Sequence, residues 1–166
     1  KHMIMVQSDM SGFTRLTKQY GILHFLTLVM HCRRIFAAAL DIHGGSIVKY
    51  DGDNVITIFT DTRTAVRAMQ YVYQQLAAYN MRKEKDFQIR IKLGMSAGVA
   101  VIIHHDIVGD AWDECCQLGE DTAKVGELLV TERVKGDLEA LPSSEIIECQ
   151  FDSRDDPFPH HNIKFA

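Results

Sequence analysis

The chain has 166 residues, the length of one domain with one active site or half of one. With 46% hydrophobic and 24% charged residues, 3 prolines and 11 glycines, the composition is globular and excludes disordered, collagen-like and low-complexity proteins. A net charge of −4, from 18 Lys and Arg against 22 Asp and Glu, offers no broad basic surface for binding nucleic acid.

The chain begins with sequence typical of a strand followed by a helix. A short apolar run over 3–6 indicates a buried strand, which puts Asp9 at the C-terminal end of that strand. The glycine turn at Gly12 then leads into helical sequence. Apolar residues recur every three or four positions over 21–40, which predicts an amphipathic helix that ends at the Gly44-Gly45 pair.

A hairpin and a second helix follow. The β-rich runs over 46–50 and 54–60 flank Asp51-Gly52-Asp53, an Asp-Gly hairpin signal that places two carboxylates at the hairpin tip. Asp61-Thr62 offers a cap for a helix whose apolar residues repeat on one face until the polar loop over 80–86.

The second half of the chain supplies the remaining strands. Apolar and polar residues alternate over 89–103, which predicts a long strand or a hairpin pair with one buried face. A helix over about 112–124, a strand over 128–131, and a closing antiparallel pair over 145–151 and 162–165 follow. This order favours an α/β protein built as an α+β sandwich with a ferredoxin-like βαββαβ core. We expect a mostly antiparallel sheet with helices on one face, extra C-terminal strands, and a single domain over 1–166.

The cysteines and the first residues of the chain indicate the cellular compartment that we expect for the protein. Four cysteines are too few for a disulfide scaffold, and Cys115 and Cys116 are adjacent, where ordinary disulfide geometry is not available. We therefore expect a reducing, cytoplasmic environment. No apolar run approaches the length of a membrane span, and the start is not a signal peptide. Lys1 and His2 before Met3 are typical of a cloning remnant, so membrane association is expected only through segments outside this chain.

Two aspartates are the candidate metal ligands. Asp9 at a strand end and Asp53 at the hairpin tip can meet at one end of a sheet, and Mg²⁺ or Mn²⁺ takes carboxylate and phosphate oxygens. Two ions that clamp a phosphoryl displacement need shared carboxylates. Taken singly, Asp9 is more simply a helix cap and Asp53 a turn residue; the pair favours the metal site. Backbone N–H groups at the following helix start are candidate phosphate ligands, over Ser11, Gly12, Phe13 and Thr14.

Several further segments form an ordered set of motifs: Asp-Met-Ser-Gly-Phe-Thr from Asp9, Gly44-Gly45 with Lys49-Tyr50-Asp51-Gly52-Asp53, Phe59, Lys92-Leu93-Gly94-Met95-Ser96-Ala97-Gly98, Asp106-Ile107-Val108-Gly109-Asp110, Gly119-Glu120-Asp121 and Gly126-Glu127-Leu128-Leu129-Val130-Thr131. In order and spacing this set resembles the class III adenylyl and guanylyl cyclases over most of the chain. The resemblance implies conversion of ATP to cyclic AMP and pyrophosphate, by attack of the 3′-hydroxyl on the α-phosphate with two Mg²⁺ or Mn²⁺ ions.

The resemblance also implies roles for individual residues. Asp9 and Asp53 correspond to the two metal carboxylates, with the carbonyl of Met10 as an additional metal ligand. Lys49 and Asp106 correspond to the pair that reads the purine edge. Lysine donates to a ring nitrogen and aspartate accepts from an exocyclic amino group, which suits adenine. The family works as head-to-tail dimers, so we expect a homodimer, or a heterodimer with another cyclase domain, binding a purine nucleotide.

The chain departs from the family at two catalytic positions. The family usually has Asn seven residues after the base-reading Asp, and Arg or Lys four residues further on; here these are Asp113 and Gln117. Asp113 adds a negative charge and Gln117 lacks a positive one, where the transferring phosphoryl group becomes more negative. Loss of one such cation costs roughly 3 to 5 orders of magnitude in rate. The segment 141–166 also lacks the family's Gly-flanked Lys, and whether Arg154 or Lys164 replaces it is left open.

Two hypotheses about function follow from the sequence. One is a nucleotidyl cyclase of low activity, supported by Asp9, Asp53, Lys49 and Asp106. The other is a catalytically degenerate cyclase-homology domain that serves as a nucleotide-binding, dimerisation or regulatory module, supported by the departures at Asp113 and Gln117.

Overall fold

The structure, a computed structural model, describes all residues from Lys1 to Ala166. Its elements follow in the order β1 (His2–Met10), α1 (Phe13–Tyr20), α2 (Ile22–His43), β2 (Ser46–Asp51), β3 (Asn54–Phe59), α3 (Thr62–Asn80), a 3₁₀ turn (Lys85–Phe87), β4 (Ile91–Val99), β5 (Val101–Ile103), β6 (Asp106–Val108), α4 (Asp110–Cys116), a π-helical turn (Gln117–Thr122), β7 (Leu128–Thr131), α5 (Glu132–Glu139), β8 (Cys149–Arg154) and β9 (His160–Phe165).

Seven strands form one sheet in the order β2-β3-β1-β4-β7-β9-β8, and β5 and β6 form a separate hairpin. The first four strands of that order, with α1, α2 and α3 between them in sequence, are the predicted ferredoxin-like core. All neighbouring pairs are antiparallel except β4 with β7, which is parallel. The predicted mixed fold with a mostly antiparallel sheet is confirmed.

The two faces of β1 build two different cores. Ile4 and Val6 pack into the main core, which the buried sides of α1, α2, α3 and α5 complete. Met3 and Met5 point the other way and pack with Cys115 of α4 in a smaller cluster. Helices therefore cover one face as expected, and the short α4 with the π-helical turn adds a partial layer on the opposite face.

The predicted helix boundaries needed adjustment at the glycines. Helical sequence begins at Phe13, and a break at Gly21, whose φ of 85° suits glycine, separates α1 from α2. The predicted helix over 112–124 is α4 followed by the π-helical turn, which ends at Thr122. Helix α5 was not predicted, because only Val134 and Leu138 of its eight residues are buried and they make too short a periodic pattern.

The predicted strands also differ in detail. The alternating run over 89–103 is the strand β4 followed by the hairpin arm β5, so the hairpin alternative is the correct one for its end. In the closing pair, β8 begins only at Cys149 and β9 begins at His160. Both strands lie at the far edge of the sheet, where β9 pairs with β7.

Helix α2 has the length and composition of a membrane-crossing helix, with a mean hydropathy of 1.3. The expectation that no apolar run approaches the length of a membrane span was therefore wrong. The apolar residues of α2 have another role in this fold, because Phe25, Val29 and Phe36 on one side are buried in the main core. Burial in the main core and packing against α3 thus explain part of the apolar composition of α2, while Leu23, Met30 and Ile42 on other sides of the helix are exposed.

Candidate active site

Asp9 and Asp53 meet at one end of the sheet. Asp9 is the penultimate residue of β1, and Asp53 lies in the turn between β2 and β3. Strand β3 pairs with β1, and the Ser8 hydroxyl accepts a hydrogen bond of 2.9 Å from the Val55 amide, so the hairpin tip lies beside the end of β1. Both aspartates are half-buried.

The surroundings of Asp53 disfavour its ionised form. Burial raises the pKa of Asp53, and the negative charge of Asp9 raises it further, while hydrogen bonding by the backbone of Met10 partly offsets the rise. A bound cation would stabilise the ionised form of Asp53 in these surroundings.

This pair suits a hard divalent ion that shares its coordination with a substrate. No group of three or more His, Cys, Asp or Glu side chains is arranged to hold a metal alone. Mg²⁺ is commonly held by one or two carboxylates together with substrate phosphates, which is the donor set available here. The Met10 side chain is buried in the main core, so only its backbone could contribute, and its predicted carbonyl ligand stays a prediction.

Lys92 is a site residue that the sequence analysis did not single out. It lies directly opposite Asp9 in the β1–β4 register, and its Nζ is 3.1 Å from Asp9 Oδ2. The Lys92 ammonium also donates to the backbone carbonyl of Glu120 in the π-helical turn. The antiparallel pairing of two motif strands was the signal that could have identified it. A cation therefore already balances one of the two carboxylates.

In the predicted phosphate loop, some groups already have partners within the protein and others are free to bind an anion. The Ser11 amide donates to the Arg90 carbonyl at 2.8 Å, and the Phe13 ring packs edge-on against Phe25. Gly12 precedes α1 with a left-handed φ of 98°, and no side chain caps that helix. The first amides of α1, at Phe13 and Thr14, are therefore the groups this loop can offer to an anion.

The two predicted base-reading residues are in direct contact. The Lys49 ammonium, on β2, donates to the Asp106 carboxylate, on β6, and lies 3.4 Å from an oxygen of Asp51. The hydrogen bond to Asp106 raises the pKa of Lys49. The donor and the acceptor stand side by side but are bonded to each other, so recognition of a base edge would require both to turn from this bond to the base.

The two departures from the family lie on an acidic, exposed surface. Asp113 is on α4 and Gln117 opens the π-helical turn, and both are exposed. The thiol of nearby Cys116 shows the effect of this negative charge. Burial and, to a smaller extent, the carboxylates of Glu120, Asp113 and Asp121 raise the pKa of Cys116 to about 12. This surface offers no cation to a phosphoryl group.

Arg154 and Lys164 do not lie free for a phosphate. The Arg154 guanidinium makes hydrogen bonds of 2.6 and 3.2 Å to the two carboxylate oxygens of Glu127, and a third of 3.0 Å to Asp152. Lys164 is 3.8 Å from Asp152. Burial raises the pKa of Glu127, but the bonds from Arg154 outweigh it and hold that pKa below its usual value. Arg154 therefore stabilises the fold here.

Solved structures share this architecture across nearly the whole chain. An adenylate/guanylate cyclase/hydrolase from Silicibacter pomeroyi matches with 21% identity and a TM-score of 0.77, covering 98% of this chain and 95% of that chain. The non-canonical dimeric guanylyl cyclase domain of the RhoGC fusion protein from Blastocladiella emersonii matches with 14% identity and a TM-score of 0.79, covering 98% and 93%. A bacterial light-regulated adenylyl cyclase matches with 18% identity and a TM-score of 0.76, covering 99% and 90%.

No family model matches the sequence, and no curated protein matches it significantly. The structural likeness extends over the sheet, the helices and the hairpin that carry the predicted site residues. The chain therefore has the fold of the adenylate and guanylate cyclase catalytic domains.

Proposed function

We propose that this chain binds a divalent metal–ATP complex in a dimer and converts it slowly to cyclic AMP and pyrophosphate. The observation that carries the proposal is the meeting of Asp9 and Asp53 at one sheet edge, where the hairpin tip lies beside the end of β1 and the charge of Asp9 disfavours ionisation of Asp53. Lys92 balances only Asp9, and the half-buried Asp53 carboxylate makes no ion pair, so a bound cation is what would stabilise its charge.

The chain's own residues have distinct tasks in this reaction. Two bound divalent ions would activate the 3′-hydroxyl and stabilise negative charge on the α-phosphate. Asp9 and Asp53 would hold those ions, and the uncapped amides at the start of α1 would bind the phosphates. Lys92, which is paired with Asp9, would add a positive charge beside the same phosphates.

The choice of ATP rests on Lys49 and Asp106. The structural neighbours include both adenylyl and guanylyl cyclases, so the shared fold does not choose the base. Adenine presents ring nitrogens as acceptors and one exocyclic amino group as a donor, which matches an ammonium beside a carboxylate. Guanine presents a carbonyl oxygen where adenine has its amino group, and Asp106 would repel it.

A second chain is expected to complete the site. The hairpin arms β5 and β6 and the end of β4 carry exposed apolar side chains, a composition that favours burial in an interface: Val99, Val101, Ile102, Ile103 and Val108. We propose a homodimer, or a heterodimer with another cyclase domain, in a reducing cytoplasmic setting that suits the four free cysteines.

The second candidate is a nucleotide-binding or regulatory domain without turnover. Asp113 and Gln117 favour it, because neither can stabilise the transferring phosphoryl group. The engagement of Arg154 by Glu127 favours it too, since the segment 141–166 then supplies no free cation from that position.

One assay separates the two candidates. The purified dimer is incubated with Mn²⁺ and either ATP or GTP, and the cyclic product is quantified for the wild type and for Asp53→Ala. We expect slow formation of cyclic AMP by the wild type, little product from GTP, and none from Asp53→Ala. Binding of Mn²⁺–ATP without product would favour the second candidate, and product that persists in Asp53→Ala would reject the metal assignment.

A further inference from the structure

Glu120, in the π-helical turn, touches both halves of the metal edge. Its Oε1 accepts a hydrogen bond from the Gln7 amide on β1 and another, of 3.3 Å, from the Asn54 amide on β3. Its backbone carbonyl accepts from Lys92, which is paired with Asp9. One residue thus contacts the neighbours of both predicted metal carboxylates.

The π-helical turn that carries Glu120 is seated directly on the sheet. A β-carbon on Gly94 of β4 would lie 2.4 Å from the Gly119 nitrogen, and one on Gly119 would lie 3.1 Å from the Gln7 carbonyl. Two backbones approach this closely only where both residues are glycine. Wider turns of this kind occur frequently at functional sites. The position of Glu120 over Gln7 is therefore fixed by backbone packing.

The hydrogen bonds around Glu120 are not arranged for stability alone. Gln7 is buried, and both it and Asn54 direct their NH₂ groups to Glu120 while Gln7 Oε1 and Asn54 Oδ1 are left without partners. Unpaired buried oxygens are unfavourable, and a polar network of this kind is retained where it serves a site.

We propose that Glu120 is a positioning residue for the metal edge, a role that rests on the proposed function. Through Asn54 its carboxylate holds the hairpin tip that bears Asp53, and through its carbonyl it holds Lys92 at Asp9. Glu120 does not bind the metal itself. Because Gln117 opens the same π-helical turn, Glu120 also joins the metal edge to the segment expected to face the transferring phosphate.

The test measures Mn²⁺ binding to the nucleotide-free dimer by the loss of the free Mn²⁺ signal in electron paramagnetic resonance. Glu120→Ala removes the acceptor, and we expect Mn²⁺ affinity to fall about tenfold, as for residues that orient metal ligands. Glu120→Gln keeps an acceptor oxygen, and Asp121→Ala removes the same charge from the same turn at an exposed position. Both should bind Mn²⁺ within about twofold of the wild type.

Each outcome decides between positioning and its alternatives. If Glu120→Ala binds Mn²⁺ as tightly as the wild type does, the proposal for Glu120 is overturned. The proposed function still stands in that case if Asp53→Asn no longer binds Mn²⁺. If Glu120→Gln or Asp121→Ala lowers the Mn²⁺ affinity as much as Glu120→Ala does, the loss is a simple effect of charge and the proposal is overturned. Absence of Mn²⁺ binding in the wild type overturns both proposals. If Glu120→Ala does not fold, Asn54→Ala replaces it, and wild-type affinity in that variant overturns the proposal.

Discussion

At the scale of single residues, Asp53 lies in surroundings that disfavour its negative charge. Its pKa is raised first by burial and then by Asp9, so the folded state binds a proton at this carboxyl more tightly than the unfolded state does. Ionised Asp53 therefore lowers the stability of the metal-free protein at neutral pH. This contribution disappears as the pH falls below the unfolded pKa, where both states are protonated.

We accordingly expect Asp53→Asn to stabilise the metal-free protein, because asparagine resembles the neutral acid. The expected rise in Tm at pH 7 is about 2 °C, measured by thermal unfolding in the presence of a chelator. The gain should vanish near pH 3. Asp155→Asn, at an exposed carboxylate that makes no ion pair, is the control and should leave Tm nearly unchanged. A lower Tm for Asp53→Asn would show that Asp53 has a structural role instead.

Asp113 and Gln117 are the residues expected to limit turnover. Asp113→Asn with Gln117→Arg removes a negative charge and adds a positive one on the exposed surface of α4 and the π-helical turn. We expect production of cyclic AMP from Mn²⁺–ATP to rise about a thousandfold, the lower range for restoring a phosphoryl-transfer arginine. Gln150→Arg, which adds the same charge on exposed β8, should have no effect. Absence of a gain in a double variant that still dimerises and binds ATP would refute this assignment.

Some residues of the candidate site stood out in the sequence and others did not, and their roles stay predictions. Asp9, Asp53, Lys49 and Asp106 stand within recognisable motifs at strand ends and turns. Lys92 and Glu120 were missed because their roles depend on which strand pairs with which and on how the π-helical turn lies on the sheet. Neither relation has a local sequence signal.

At the scale of secondary-structure elements, the candidate site depends on close packing of the π-helical turn against β4. Gly94 has no room for a side chain, since a β-carbon there would lie 2.4 Å from the Gly119 nitrogen and 2.5 Å from the Cys115 carbonyl. Both of those atoms belong to the backbone, so the contact cannot be relieved by a side-chain rotation.

Gly94→Ala should therefore destabilise the protein by at least about 3 kcal/mol, because α4 and the turn must separate from β4. Gly136→Ala is a matched control in the middle of α5, where a β-carbon meets nothing within 4 Å. It should stabilise the protein by about 0.5 to 1 kcal/mol through helix propensity. Urea unfolding of the three proteins tests this, and equal stability of Gly94→Ala and the wild type would contradict it.

The elements themselves were largely predictable where their patterns are long. The β2–β3 hairpin and α3 follow from an Asp-Gly turn and a clear helical cap, whose Asp61 carboxylate does accept from the Thr64 amide at 2.8 Å. Helix α5 has too few buried residues to show a period. The boundary between α4 and the π-helical turn depends on backbone packing around Gly119, which a periodic pattern does not encode.

At the scale of the whole molecule, one chain presents two different edges. The carboxylates Asp9 and Asp53 lie at the end of β1, while Lys49 and Asp106 lie between β2 and the β5–β6 hairpin. Part of the net charge of −4 is located on the surface of α4 and the π-helical turn, beside Gln117. This distribution fits a domain that binds a metal-bound nucleotide more readily than it transforms one.

The central claim, that Asp9 and Asp53 form a metal–nucleotide site, is tested most directly by calorimetric titration of Mn²⁺–ATP into the wild type and Asp53→Asn. The variant is expected to be at least as stable as the wild type, so weaker binding would not reflect unfolding. We predict saturable, Mn²⁺-dependent binding by the wild type and an affinity at least about tenfold lower for Asp53→Asn. Equal affinity of the two proteins for Mn²⁺–ATP would contradict the account.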